Sequence, residues 1–196
     1  NFKYPSKHND YEREAAARVV AYYGVWANEI DLTTAFAAFR SDLLKTGGLV
    51  PEGHYAEESM RATVVPFRNG IFLAVLAGLA ESLGAGEVWL GTHAGDHHIY
   101  PDCRPDFVNA MTAAIEFGTN RKVSTVAPFE FVDKAALLKE GLVLGAPFHL
   151  TRTCYKDQPI ACGCCGSCCE RREAFTLNVV EDPIEYKYRG PLPTKG

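Results

Sequence analysis

The sequence predicts an α/β fold: a mainly parallel sheet covered by helices, with a small four-cysteine segment at the C-terminus. Three observations carry that prediction. Short apolar runs alternate with longer helical segments in the order strand, helix, strand, helix, helix, strand, helix, strand, helix. Polar stretches follow the apolar runs, as expected where ligands bind beyond the carboxyl ends of parallel strands. Of the seven cysteines, all but Cys103 fall between Cys154 and Cys169, after the last predicted helix. The division is therefore residues 1–150 for the α/β domain and 151–196 for the metal-binding segment.

Asn1 to Tyr4 reads as the end of a strand. A helix runs from Asn9 or Asp10 to Tyr23, with Gly24 as its C-terminal cap. Val25 to Leu32 fits a second strand, and Thr33 caps a helix from Thr34 to Lys45. Thr46 to Thr63 carries three glycines and a proline and reads as a loop. Pro66 precedes a strongly apolar helix from Arg68 to Leu83, closed by Gly84. Glu87 to Leu90 is a short strand, and Gly91 to Arg104 a polar loop. Pro105 occupies a first helical position, and that helix runs to Phe117 before Gly118. Val123 to Ala127 is the last strand. Asp133 caps a helix to Leu144, closed by Gly145. The cysteine knot and a tail ending in P-L-P-T-K-G follow.

Composition narrows the classes. The 196 residues suffice for one domain with a real core, or for one domain plus a small appendage. A net charge of −4 weighs against a nucleic-acid surface, although Arg171 and Arg172 form a local basic pair. No apolar run approaches transmembrane length. Thiolate-type cysteine usage and the lack of a signal peptide point to a reducing cytoplasm.

The cysteines are the most specific signal. C-G-C-C-G-S-C-C (Cys162 to Cys169) contains two consecutive C-x-x-C steps, at Cys162, Cys165 and Cys168. With Cys154 they supply four thiolates, the complement of a closed tetrahedral zinc site. Disulfides are the competing reading, but neighbours such as Cys164 and Cys165 cannot reach disulfide geometry with each other. Cys164 and Cys169 fall outside the ligand register and are expected as free thiols. Gly163 and Gly166 suit a turn in which backbone N–H groups approach the sulfurs. Four thiolates leave no open coordination position, so the zinc is structural.

Two loops hold candidate chemistry. Gly91 to Phe107 (G-T-H-A-G-D-H-H-I-Y-P-D-C-R-P-D-F) packs three histidines, three aspartates and one arginine into seventeen residues. A site is the preferred reading, against a solvated loop that merely starts a helix. His93, His97 and His98 suggest a second metal, but adjacent histidines diverge on a regular element, which disfavours it. Asp96 and Asp102 are better read as acceptors for ligand N–H groups or for magnesium. In V-P-F-R-N (Val65 to Asn69), Arg68 and Asn69 fall at a helix start, where orphan N–H groups and an arginine fork favour an anion. Alone, Arg68 reads as a surface residue; with the Asp102 loop the pair resembles a pocket. Lys7 and His8, in Y-P-S-K-H-N, fit a nucleotide contact and a solvated surface equally well.

The chain resembles the 7-cyano-7-deazaguanine synthases. Three motifs carry the resemblance, in order: V-P-F-R-N, the Gly91–Phe107 loop, and T-C-Y with C-G-C-C-G-S-C-C-E-R-R-E-A-F (Cys162 to Phe175). It implies a Rossmann-like fold of the nucleotide α-hydrolase, ATP-pyrophosphatase type, with residues 1–150 binding the nucleotide. It also implies a cytoplasmic homodimer that acts on small molecules and binds neither membrane nor nucleic acid. The implied reaction converts 7-carboxy-7-deazaguanine, ammonia and ATP to the nitrile, with magnesium, in queuosine and related deazapurine biosynthesis. The family's zinc ligands fall on Cys154, Cys162, Cys165 and Cys168.

The expected roles are an anion contact for Arg68, magnesium for Asp96 and the deazaguanine edge for Asp102. Tyr100 would stack on the base and Arg104 orient Asp102 or touch a phosphate, with Asn69 beside them. Lys7 and His8 would touch the nucleotide, and Cys103 would be packing. The family also has an S-G-G-x-D-S loop for the ATP phosphates, and no such segment occurs among these residues. The expectation is that it lies outside this sequence, because a parallel sheet short of a central strand would expose unpaired edges. Competing readings are an amide-forming sister enzyme, a non-catalytic zinc-containing binding module and a zinc-ribbon nucleic-acid binder.

Overall fold

A computed structural model describes residues 1–194. The chain forms two compact units. The first is built from Asn1–Pro66 and Lys134–Gly196, the second from Phe67–Asp133. These units part the chain after Pro66 and after Asp133. The cause is visible in the first unit, where the helix that begins at Lys134 packs on a helix of the cysteine segment.

In the first unit β1 (Phe2–Lys3), α1 (Asn9–Tyr23) and β2 (Ile30–Asp31) make a β-α-β crossover. The two strands pair in parallel, Phe2 opposite Ile30. Gly24 closes α1 with φ +61°, as its position predicts. Of the predicted strand Val25–Leu32 only Ile30–Asp31 pairs. The predicted helix from Thr34 to Lys45 is absent, replaced by isolated turns. Side chains there compete for the backbone: Asp31 accepts the Thr33 N–H at 2.8 Å, and the Ser41 hydroxyl accepts the Leu43 N–H at 3.1 Å. Burial of Phe36, Leu43 and Leu44 on separate turns replaces a single helical stripe. The loop expected over Thr46–Thr63 contains a 3-10 helix at Glu58–Thr63.

The second unit is a second crossover. α2 (Arg68–Leu83) leads into β3 (Glu87–Trp89), α3 (Pro105–Gly118) follows, and β4 (Ser124–Val126) pairs with β3 in parallel, Val88 opposite Thr125. Leu73, Ala77 and Ala80 of α2 pack with Val88, Ile115 and Val123 into one core. Leu73 is fully buried, so Leu73→Ala is expected to cost about 2–5 kcal/mol, measurable by urea denaturation. The stretch Glu58–Leu83 is long and apolar enough, by length and composition, to cross a membrane. It is not one helix, however. Pro66 and Phe67 interrupt it, and α2 alone spans about 24 Å, with Leu73, Ala77 and Ala80 in the core.

Back in the first unit, α4 (Lys134–Val143) lies against α5 (Gly166–Leu177). Leu138, Ala174 and Phe175 are buried together, with Phe148 edge-on to Phe175 at 5.7 Å. The sequence reading had no helix at α5, although its E-R-R-E-A-F-T-L stretch is rich in helix formers. Among the described residues the named strands thus form two two-stranded parallel sheets, each with a helical crossover.

Candidate metal centre and polar loop

Cys154, Cys162, Cys165 and Cys168 are buried, and their sulfurs all lie within 4.8 Å of one another. Zinc about 2.3 Å from each of four sulfurs would hold them about 3.8 Å apart along the tetrahedron edge. The sulfurs of Cys162 and Cys168 are 3.8 Å apart. The cluster therefore fits zinc in both size and donor chemistry. Backbone amides face the sulfurs as expected: the Cys162 N–H approaches the Cys154 sulfur at 3.3 Å, and the Cys165 N–H the Cys162 sulfur at 3.2 Å.

Electrostatics also call for a cation. Hydrogen bonds with Cys154, Cys165 and Cys168 hold the Cys162 thiol far below the thiol range, while bonds with Cys154, Cys162 and Cys165 push Cys168 far above it. Four thiols this close cannot all ionise unless a metal ion neutralises them. Cys164 and Cys169 stand outside the cluster, as predicted. Burial raises the Cys169 thiol to about 11, and burial raises Cys164 to about 12.

The local backbone explains why glycine stands between the ligands. Gly163 has φ +80°, and a Cβ there would lie 2.0 Å from the Tyr188 carbonyl oxygen. Gly163→Ala is expected to cost about 1–3 kcal/mol, read as a lower melting temperature of the zinc-loaded protein. At Gly166 an added Cβ would come within 2.8 Å of the Met60 sulfur.

The polar loop of the second unit is more ordered than its composition suggests. It holds two 3-10 helices, Ala94–His98 and Pro101–Cys103. His93 and Asp96 form a capping box on the first. The His93 Nδ1 accepts from the Gly95 N–H at 3.1 Å, and the Asp96 Oδ2 accepts from the His93 N–H at 3.2 Å. Asp102 is buried, and its Oδ2 accepts the Asn69 N–H at 2.8 Å. One N–H at the start of α2 is thus met by the protein's own carboxylate. The Asn69 side chain returns the contact, donating to the Asp102 carbonyl at 3.2 Å and to the Cys103 sulfur at 3.2 Å.

The other expected site residues are placed as follows. Arg68 opens α2, half-buried. Its charge favours the Cys103 thiolate, but burial and the carboxylates of Asp96 and Asp102 outweigh it and hold that thiol protonated. Tyr100 is half-buried, its N–H on the Asp96 carbonyl at 3.0 Å. Arg104 is exposed and donates from Nε to the His97 carbonyl at 3.1 Å. Among the described residues His93, His97 and His98 join no group with metal-binding spacing.

In the first unit Lys7 donates to the Asp42 carbonyl at 2.7 Å and to the Gly47 and Gly48 carbonyls, at the wall of a cavity of about 360 Å³. His8 is buried, its Nε2 3.6 Å from the Glu12 carboxylate and its ring 5.3 Å from Tyr155. Sequence reasoning missed the charged residues around the metal segment. Arg152 donates to the carbonyls of Lys156, Gln158 and Pro159 and lies over the Tyr11 ring. Arg171 forms a buried two-bond pair with Asp182. The adjacent arginines were visible in sequence, but their partners lie 9 to 23 residues away on either side, with no periodic signal.

Comparison with known proteins agrees with this geometry. A family model described as "Queuosine biosynthesis protein QueC" matches residues 1–179. A protein of Porphyromonas gingivalis named 7-cyano-7-deazaguanine synthase is 46% identical over 187 residues, covering 95% of this chain and 85% of its own. Proteins of the same name from Marinobacter nauticus and Desulfotalea psychrophila are 45% and 47% identical, covering 95% and 89% of this chain and 84% and 80% of theirs. With the four-cysteine cluster assembled inside the matched span, the chain belongs to the QueC family of queuosine biosynthesis proteins.

Proposed function

We propose that this protein is a 7-cyano-7-deazaguanine synthase, an ATP-dependent ligase that makes the nitrile from 7-carboxy-7-deazaguanine and ammonia for queuosine biosynthesis. The observation that carries the proposal is the 46% identity to a protein of that name across 95% of the chain.

The chemistry must overcome a poor electrophile. A carboxylate resists attack until one oxygen joins a good leaving group, which ATP with magnesium supplies. Ammonia then displaces the activated oxygen to give the amide, and a second activation removes the amide oxygen to leave the nitrile. Positioning and charge stabilisation are the protein's part. Arg68 is assigned to the substrate carboxylate or the ATP phosphates, and Asp96 to magnesium. Asp102 is assigned to the N1–H and exocyclic amine of the deazaguanine edge. One Asp102 oxygen already accepts from Asn69, and a carboxylate has about four lone-pair sites, so acceptor capacity remains.

Asn69 then holds Asp102 in place, Tyr100 stacks on the base, and Arg104 borders the same loop. Lys7 and His8 are assigned to the nucleotide. Residues 1–150 would supply nucleotide binding and 151–196 the metal-binding segment. The zinc acts as a structural clasp that orders its own loop. A cytoplasmic homodimer without nucleic-acid or membrane partners completes the proposal.

The test is turnover of 7-carboxy-7-deazaguanine with ATP, magnesium and ammonium by the purified protein, read by product mass. A nitrile is expected. An amide as final product would overturn the proposal in favour of a sister ligase, and no turnover by folded, zinc-loaded protein would remove the enzyme assignment. Arg68→Ala is expected to lower kcat/KM by about 10²-fold or more while leaving the melting temperature nearly unchanged.

A further inference from the structure

We infer that residues 182–190 form a strap over the metal-binding turn, and that this strap sets how fast the metal can leave. The inference rests on the four-thiolate site and its surroundings, independent of the reaction.

The strap begins at a buried anchor. Asp182 and Arg171 are 8% and 5% exposed. Arg171 donates from Nε to Asp182 Oδ2 at 2.7 Å and from Nη2 to Oδ1 at 2.8 Å. The Tyr186 hydroxyl donates to the same carboxylate at 2.6 Å. Beyond the anchor the chain pairs with the metal loop itself. Tyr186 bridges Ala161 in parallel, the Lys187 N–H donates to the Ala161 carbonyl at 2.9 Å, and the Tyr188 N–H donates to the Cys162 carbonyl at 3.1 Å.

The far end is tied down as well. Arg172 donates to the Gly163 carbonyl at 2.7 Å and to the Gly190 carbonyl at 2.6 Å. Its guanidinium lies 5.8 Å from the ring centroids of both Tyr186 and Tyr188. The close approach of Tyr188 to Gly163 leaves no room for a side chain at that glycine.

These contacts have a common geometry. Ligand residue Cys162 and the turn after it lie between helix α5, which carries Cys168, and the strap. A structural zinc is lost when one ligand swings away and a competing ligand reaches the ion. Here the backbone that carries Cys162 cannot open without breaking the Tyr188 bond, and Gly163 cannot move without breaking the Arg172 bond. The strap lies beyond residue 179, the last residue matched by the family model. The geometry therefore assigns Asp182, Tyr186, Arg171 and Arg172 as positioning residues for the metal centre.

Zinc-loaded full-length protein, mixed with an excess of the chromophoric chelator 4-(2-pyridylazo)resorcinol, gives the release rate directly. Hydrogen exchange of the Lys187 and Tyr188 amides reports the strap in the same samples. Arg172→Met is expected to speed both by tenfold or more, with far-UV circular dichroism unchanged. Tyr186→Phe, which deletes one hydroxyl and keeps the ring, is the second variant in case Arg172→Met does not fold, and should speed both by a smaller factor. Faster amide exchange with an unchanged release rate would overturn the inference. Unchanged amide exchange in both variants would overturn the assignment of these anchors.

Discussion

Cys168→Ser is expected to yield protein that carries no stoichiometric zinc and fails to unfold cooperatively. Cys168 is 0% exposed and sits in the first turn of α5. Structural zinc supplies about 10–16 kcal/mol of apparent binding free energy at neutral pH, comparable to or above the roughly 5–15 kcal/mol by which a whole domain is stable. Losing one of four thiolates removes much of that term and leaves a hydroxyl among three sulfurs with no cation to balance them. The measurement is zinc content by mass spectrometry, paired with a thermal melt. Retention of one zinc per chain with an unchanged melting temperature would show that Cys168 is not a ligand.

The second large effect is expected at Arg171. Arg171→Met leaves Asp182 buried with its guanidinium partner gone, although the Tyr186 hydroxyl still donates to it. Breaking a buried pair from one side costs about 3–5 kcal/mol. The change also removes donors to the Thr151 hydroxyl and the Phe148 carbonyl. Urea denaturation should show the midpoint fall with little change in slope. The double change Arg171→Met with Asp182→Leu should recover part of the loss, because no charge then stays buried. If the double variant is less stable than the sum of the single changes, the cost lies in packing and not in an uncompensated carboxylate.

How legible this was in sequence depends on the distance over which each signal acts. α1, α2, α3 and α4 begin and end close to where capping glycines and Pro105 place them, because those signals are local. The zinc ligands were legible for the same reason, since spacing and thiolate chemistry lie within the fifteen residues from Cys154 to Cys168. The Thr34–Lys45 segment was misread because its hydrophobic residues are buried one by one while Asp31 and Ser41 bond to the backbone. The strands shrank because pairing is set by partners elsewhere in the chain. At the polar loop the aspartates and histidines were found, but not their local duties. That Asp102 caps α2 depends on Asn69, 33 residues earlier, a meeting that no periodicity encodes. Helix α5 and the tail were missed because the cysteine spacing drew a knot where a helix carries one of the ligands.

The interrupted composition of the first unit has a consequence for synthesis on the ribosome. Residues 67–133 form their own compact unit, while the first 66 residues are completed only by residues from Lys134 onward. Glu52 bridges Cys165, the Gly53 amide bonds to Cys164, and Arg152 covers Tyr11. At a translation rate of about 5–20 residues per second, the nascent segment that ends at Pro66 waits roughly 5–20 s between the emergence of Pro66 and that of Cys168. Throughout that interval Phe36, Leu43 and Leu44 lack part of the unit that encloses them. Nascent chains stalled before Cys154 should therefore recruit chaperones through residues 1–66, and those stalled well past Gly190 in the presence of zinc should release them.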